Sequence, residues 1–158
     1  MSNRSQRMST TPPRVCGRAE HFKVLQERIS RAKREVQFVS PWIVGDVVLR
    51  LLDSMPSGVE GSVTFRWPSD NDDPAFYDTG VLKSLLARPD FEVRFTCDLL
   101  HAKIYAIDQE YLLITSANLT GSGFPDTEAG VGNIEAGVEL QDPIGVGQAL
   151  GEIESCKL

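Results

Sequence analysis

His101-Ala-Lys103-Ile-Tyr-Ala-Ile-Asp108, followed by Tyr111-Leu-Leu-Ile-Thr-Ser116-Ala-Asn118, is the stretch on which the reading of this chain turns. Two runs rich in β-branched and aromatic residues flank Asp108-Gln-Glu110, a pattern that predicts a β-hairpin. In an extended chain His101 and Lys103 point to one side, and the second run supplies Ser116 and Asn118 at the same spacing. An imidazole, an ammonium, a hydroxyl and an amide gathered in this way suit an anion. Phosphate fits best, with His101 as the nucleophile.

The expected geometry depends on the turn. If Asp108 faces Tyr111 across a two-residue turn, His101 lies opposite Asn118 and Lys103 opposite Ser116. A slip of two residues puts Ser116 opposite His101 on the same face. A three-residue turn would reverse the parity and break the cluster. Lys103 offers rotatable donors to non-bridging oxygens, and Asn118 offers an amide that neither titrates nor competes as a nucleophile. His101 needs an acceptor to fix its tautomer, and Glu135, in Asn133-Ile-Glu135-Ala, is the candidate. A lysine amid Ile104, Tyr105 and Ile107 is costly to bury without an anion, and this lifts His101 above an ordinary structural histidine. Asp108, at the turn, reads as structural, and His21 as a surface residue of the first helix.

Outward from the hairpin, Phe22, Leu25, Ile29, Ala32 and Val36 recur at three- and four-residue steps and predict a helix over Glu20–Val36. Further helices are expected at Gly45–Met55 and Asp78–Arg88, and another begins at Asp142-Pro143. Strands are expected at 36–40, 62–67, 91–96 and 133–140, besides the hairpin. Residues 119–133, with four glycines and no periodicity, read as a mobile loop. Ser69-Asp-Asn-Asp-Asp-Pro74 is an acidic loop without the glycine and distal glutamate of a calcium loop, so no metal is expected. Trp42 and Trp67 suit base stacking or a lipid surface, although packing is the commoner use of an aromatic near a strand end. Strands alternating with helices, then a run of strands, give an α/β class with a mixed sheet flanked by helices.

The 158 residues support one core. A tail is expected over residues 1–17 and a single domain over 18–158. No apolar run reaches the roughly 18 residues of a membrane span, and residues 1–14 lack the apolar region of a secretory signal. The three cysteines, far apart and odd in number, suggest reduced thiols and a cytoplasmic protein. Residues 1–37 hold nine Lys/Arg against three Glu, yet the chain carries −6 overall. That argues against broad coating of nucleic acid and allows local docking of a polyanion.

His101-x-Lys103-x4-Asp108, then Ser116-x-Asn118 and Glu135, resembles the HKD signature of the phospholipase D superfamily. The resemblance implies the phospholipase D-like fold and a phosphodiesterase that uses neither metal nor other cofactor. His101 would form a covalent phosphohistidine, with Lys103 and Asn118 on the phosphate, Ser116 in support and Glu135 orienting the histidine. Asp108 would lie away from the chemistry. Many members have Gly-Ser or Gly-Gly where this chain has Thr115-Ser116. The mechanism uses two histidines and the chain has one motif, so a homodimer is implied. Single-motif members are most often nucleases, and the expected substrate is DNA, with RNA second. The alternatives are a phospholipase or phosphatidyl transferase, and a non-catalytic nucleic-acid-binding subunit of a restriction or defence complex. No base-reading module is evident, so a partner subunit would supply any sequence specificity.

Overall fold

In the computed structural model, which describes residues 11–68, 70, 72–96, 99–125 and 132–155, the stripe through Phe22, Leu25 and Ile29 forms helix α1 (Arg18–Ile29). The helix stops at Ser30, short of the expected Val36, which belongs to strand β2 (Glu35–Val39). Ala32 and Val36 continue the helical spacing only because both are buried, one in a turn and one in the sheet. Periodicity cannot separate those cases.

From β2 the chain passes through a two-residue strand β3 (Ile43–Val44) into helix α2 (Val47–Leu52). Strand β4 (Glu60–Arg66), helix α3 (Thr79–Leu86) and strand β5 (Phe91–Thr96) follow. Asp78 caps α3, accepting from the N–H groups of Gly80 and Val81 at 2.9 and 3.1 Å, as its sequence position predicts. Strands β2, β4 and β5 pair in parallel. The hairpin, β6 (Ile104–Ile107) and β7 (Tyr111–Thr115), then adds antiparallel to β2. Strand β9 (Ala136–Gln141) extends the sheet beyond β7, and helix α4 (Pro143–Ser155) closes the described chain.

The expected tail needs correcting over its second part. Thr11–Gly17 forms β1, antiparallel to β9. Pro12 and Pro13 fit because the strand lies at the sheet edge. Cys16 turns into the core, where burial pushes its free thiol up to about 11, and Arg14 reaches Glu139 at 2.7 Å. The expected tail's residues 1–10, and Cys97 and Cys156, lie outside the described residues.

The result is one domain around a seven-stranded sheet, β1-β9-β7-β6-β2-β4-β5. Its larger core packs Leu25, Ile29, Leu51 and Leu85 of α1–α3 against Phe38, Val63, Phe65, Tyr105 and Leu113. On the opposite face, Val146 of α4 covers Val39, Ile104, Ala106 and Leu112. The mixed sheet flanked by helices is therefore the architecture that the sequence predicts.

Two local expectations change. Ile107 faces Tyr111, so the hairpin turn has three residues, not two. Asp108 and Gln109 both have φ of 56°, in the left-handed region that few non-glycine residues adopt. The Asp108 carboxylate supplies the compensation, accepting from the backbone N–H groups of Lys33, Arg34 and Glu35 at 2.9, 2.7 and 3.1 Å. The glycine-rich stretch is also more ordered than expected at its start. Leu119–Thr120 forms β8, parallel to β3, and Phe124 is fully buried. Gly123 permits this return, because a Cβ there would come within 2.4 Å of the Asn118 carbonyl oxygen. Residues 126–131 of the expected loop lie outside the described ones.

Candidate active site

The parallel strands β2, β4 and β5 end at one edge of the sheet, where open α/β sheets usually bind ligands. Because β6 and β9 run against β2 and β7 respectively, their N-terminal ends reach the same edge. His101, Lys103 and Glu135 are carried there just before the regular ladders begin. Ser116 follows directly on the C-terminal end of β7.

His101 is exposed, and Lys103 is buried at 7% accessibility. The Lys103 Nζ lies 3.2 Å from both ring nitrogens of His101 and donates to the His101 carbonyl at 2.8 Å. Burial lowers the Lys103 pKa, the nearby Glu135 charge opposes that shift, and Arg66 adds to it. Ser116 Oγ donates to the Glu135 carboxylate and accepts from the Ala136 N–H at 3.2 Å.

The three-residue turn thus leaves the cluster partly intact. His101 and Lys103 share one side as expected. Ser116 joins through Glu135 rather than across the hairpin, because residues 101–103 and 116–118 have left the regular ladder and strict parity no longer applies. Asn118 has a buried Oδ1 without a hydrogen-bond partner among the described residues. Its side chain makes no described bond to His101 or Lys103. Glu135 bonds Ser116, and no described hydrogen bond joins it to His101.

Several supporting residues escaped the sequence reading. Ser40, fully buried, donates to the Trp42 carbonyl at 2.8 Å and accepts from the Leu119 N–H at 3.1 Å. Tyr105 donates to the Ala117 carbonyl at 2.8 Å. Thr115 Oγ1 donates to the Ala136 carbonyl at 3.0 Å and accepts from the Ala117 N–H at 3.1 Å. These bonds fix the segment 115–119 from both sides. His21, expected on the surface, is fully buried, with its ring centroid 6.0 Å from that of Phe124. Its place one turn before Leu25, on the same stripe, was the available signal. Trp42 stands edge-on to His101, 6.4 Å between centroids at 89°. Asp72 and Asp73 of the acidic loop are engaged within the protein, Asp72 with Arg66 and Tyr77, Asp73 with the Ala75 N–H.

The result is a single-domain mixed sheet of the α/β class with an exposed histidine and a buried lysine at the edge where its parallel strands end. A family model described as "Cardiolipin synthase, PLD-like domain" matches residues 25–156, and the chain belongs to that family. Among solved structures, it is similar to NucT from Helicobacter pylori, with TM-score 0.69, 15% identity, and coverage of 92% of this chain and 94% of that one. It is also similar to the phospholipase D family member Nuc from Salmonella typhimurium, with TM-score 0.67, 14% identity and the same coverages. The archaeal chromatin protein TrmBL2, described as having a novel mode of DNA binding, aligns with TM-score 0.58 and 15% identity over 96% of this chain and 54% of that one. Comparison with curated proteins gives no match. Among the described residues, no helix is long and apolar enough to cross a membrane.

Proposed function

We propose that this chain is a nuclease that hydrolyses phosphodiester bonds of DNA, with RNA as the alternative substrate, through a phosphohistidine on His101. The observation that carries the reading is the exposed His101 imidazole held against a buried Lys103 ammonium. Membership of the PLD-like family and likeness to Nuc and NucT support it. One ring nitrogen of His101 attacks phosphorus, forming a P–N bond as the P–O bond to the leaving oxygen breaks. Lys103 neutralises charge on the non-bridging oxygens, and Asn118 adds an amide donor. His101 of a second copy protonates the leaving oxygen, and water then cleaves the P–N bond. That second copy would meet the first at the site, and the exposed cross-strand pair Ile114 and Val138 offers it an apolar surface nearby.

The test is cleavage of single-stranded DNA in excess EDTA, beside vesicles of phosphatidylglycerol. Cutting of DNA in EDTA is the expected result. Activity that appears only on adding metal would overturn the phosphohistidine route. Turnover of the lipid alone would reassign the substrate, and DNA binding without cutting would favour the non-catalytic reading.

Glu135 gives a sharper handle on the same site. Its charge holds up the Lys103 pKa against burial, so Glu135→Gln lets that pKa fall further. Lys103 must be protonated to bind phosphate, and the alkaline limb of the kcat/KM profile should therefore move to lower pH. An unchanged limb would show that Lys103 does not set it.

A further inference from the structure

Beside the His101–Lys103 pair lies a second cation that the reaction above does not use. Arg66 ends β4, two strands from β6 in the sheet order. Continuing the registers Val39↔Ile104 and Val39↔Thr64 places Arg66 one residue beyond the row that holds Lys103 and Ser40. Strand spacing then separates the two cations' backbones by roughly 10 Å. Arg66 is close enough for its charge to act on Lys103.

One guanidinium nitrogen holds the Asp72 carboxylate, whose other oxygen accepts from the Tyr77 hydroxyl at 3.3 Å. The Arg66 Nε is buried with no hydrogen-bond partner among the described residues, and so is the indole N–H of Trp42. The Arg66 guanidinium carbon lies 5.5 Å from the Trp42 ring centroid. Buried donors are normally paired, and two orphans meeting beside a candidate nucleophile mark a place for an acceptor from outside the chain. The Asp72 carboxylate already shows the chemistry that this guanidinium takes.

Aromatic surface lies beside the arginine, where Trp42 and Phe76 are both partly exposed. Trp42 stacks on Phe76 with centroids 4.6 Å apart. A cation beside this partly exposed aromatic stack suits a single-stranded polynucleotide, whose phosphates take the charge and whose bases stack. It suits a lone phosphate or a lipid headgroup less well.

We propose that Arg66 binds the phosphate adjoining the scissile one on a single nucleic-acid strand, with Asp72 as the internal carboxylate that this phosphate displaces. The inference rests on the nuclease reading and adds a specificity-determining residue to it. It gives Arg66 and Asp72 opposite roles. Arg66 attracts the strand, and Asp72 competes with it.

The experiment measures affinity for a single-stranded oligonucleotide across a salt series, with His101→Ala in every protein so that nothing is cut, and wild-type cleavage followed in parallel. Arg66→Gln should weaken binding about tenfold and reduce the slope of log K against log salt by about 0.7, one phosphate contact fewer. Arg66→Lys keeps the charge, so its slope should match that of the parent even where binding weakens, and it serves if the glutamine variant fails to fold. Asp72→Asn should tighten binding. An unchanged slope in folded Arg66→Gln, with the wild type still cutting DNA, would overturn this inference and leave the nuclease reading standing. Weaker binding and a lower Tm in both Arg66→Gln and Asp72→Asn would make the pair a structural clasp and also overturn it. A wild type that neither binds nor cuts the oligonucleotide would remove the nuclease reading and this inference together.

Discussion

His101→Ala should lose DNA cleavage by about 10⁴-fold or more in kcat while keeping the Tm of the parent within a few degrees. The side chain is exposed and its loss opens no cavity, so folding and chemistry separate cleanly at this position. Lys103→Ala should fall nearly as far in rate, with a measurable cost in stability because Lys103 is buried. The same variant tests the second copy. If each site needs His101 from two subunits, wild type mixed and re-equilibrated with excess His101→Ala should lose activity as the square of the wild-type fraction. A linear loss would place both proton transfers within one chain. Full activity in His101→Ala would dismiss the histidine as nucleophile altogether.

Asp108→Ala should cost about 2–4 kcal/mol in urea unfolding, the second large effect, although the residue lies at the opposite end of β6 from the site. Hydrogen bonds to a charged partner contribute about 1.5–3 kcal/mol each, less where water can replace them. Three backbone N–H groups of the α1–β2 turn lose one shared acceptor in this variant. Burial alone would raise the carboxyl pKa, but those N–H donors and Arg34 outweigh it and hold Asp108 below the usual carboxylate range. The sign follows from linkage: a carboxyl with a depressed folded pKa stabilises the fold above its unfolded pKa near 4. That contribution fades as pH falls through the lower folded value. Asp108→Ala should therefore flatten the acid limb of the stability profile, and a loss of activity at unchanged stability would contradict the structural role.

The hairpin shows what the sequence made legible and where legibility ended. Strands β5 and β7 occupy the residues that their patterns predict, because local alternation and flanking turn residues set them. The proximity of His101 and Lys103 was equally local, since two residues in an extended chain suffice. The turn was not local. Asp108 adopts a left-handed conformation on the strength of donors some 75 residues earlier in the chain, and no pattern within the hairpin encodes them. Glu135 is expected from the sequence as the acceptor for His101, whereas its described hydrogen bond is to Ser116, a contact that depends on how β9 meets β7. His21 was misread because a polar residue on an apolar stripe was assigned by type rather than by position.

The sheet order also bears on how late in its synthesis the candidate site comes together. The strand after His101 and Lys103 is seated on β2, whereas the partner of Ser116 arrives with the start of β9, next to last among the described elements. Among the described residues, the first strand in sequence pairs only with β9. A chain synthesised only as far as β8 therefore lacks both the sheet partner of β1 and the Glu135–Ser116 contact. A single late strand therefore fastens both the first strand of the sheet and the Glu135 side of the candidate site.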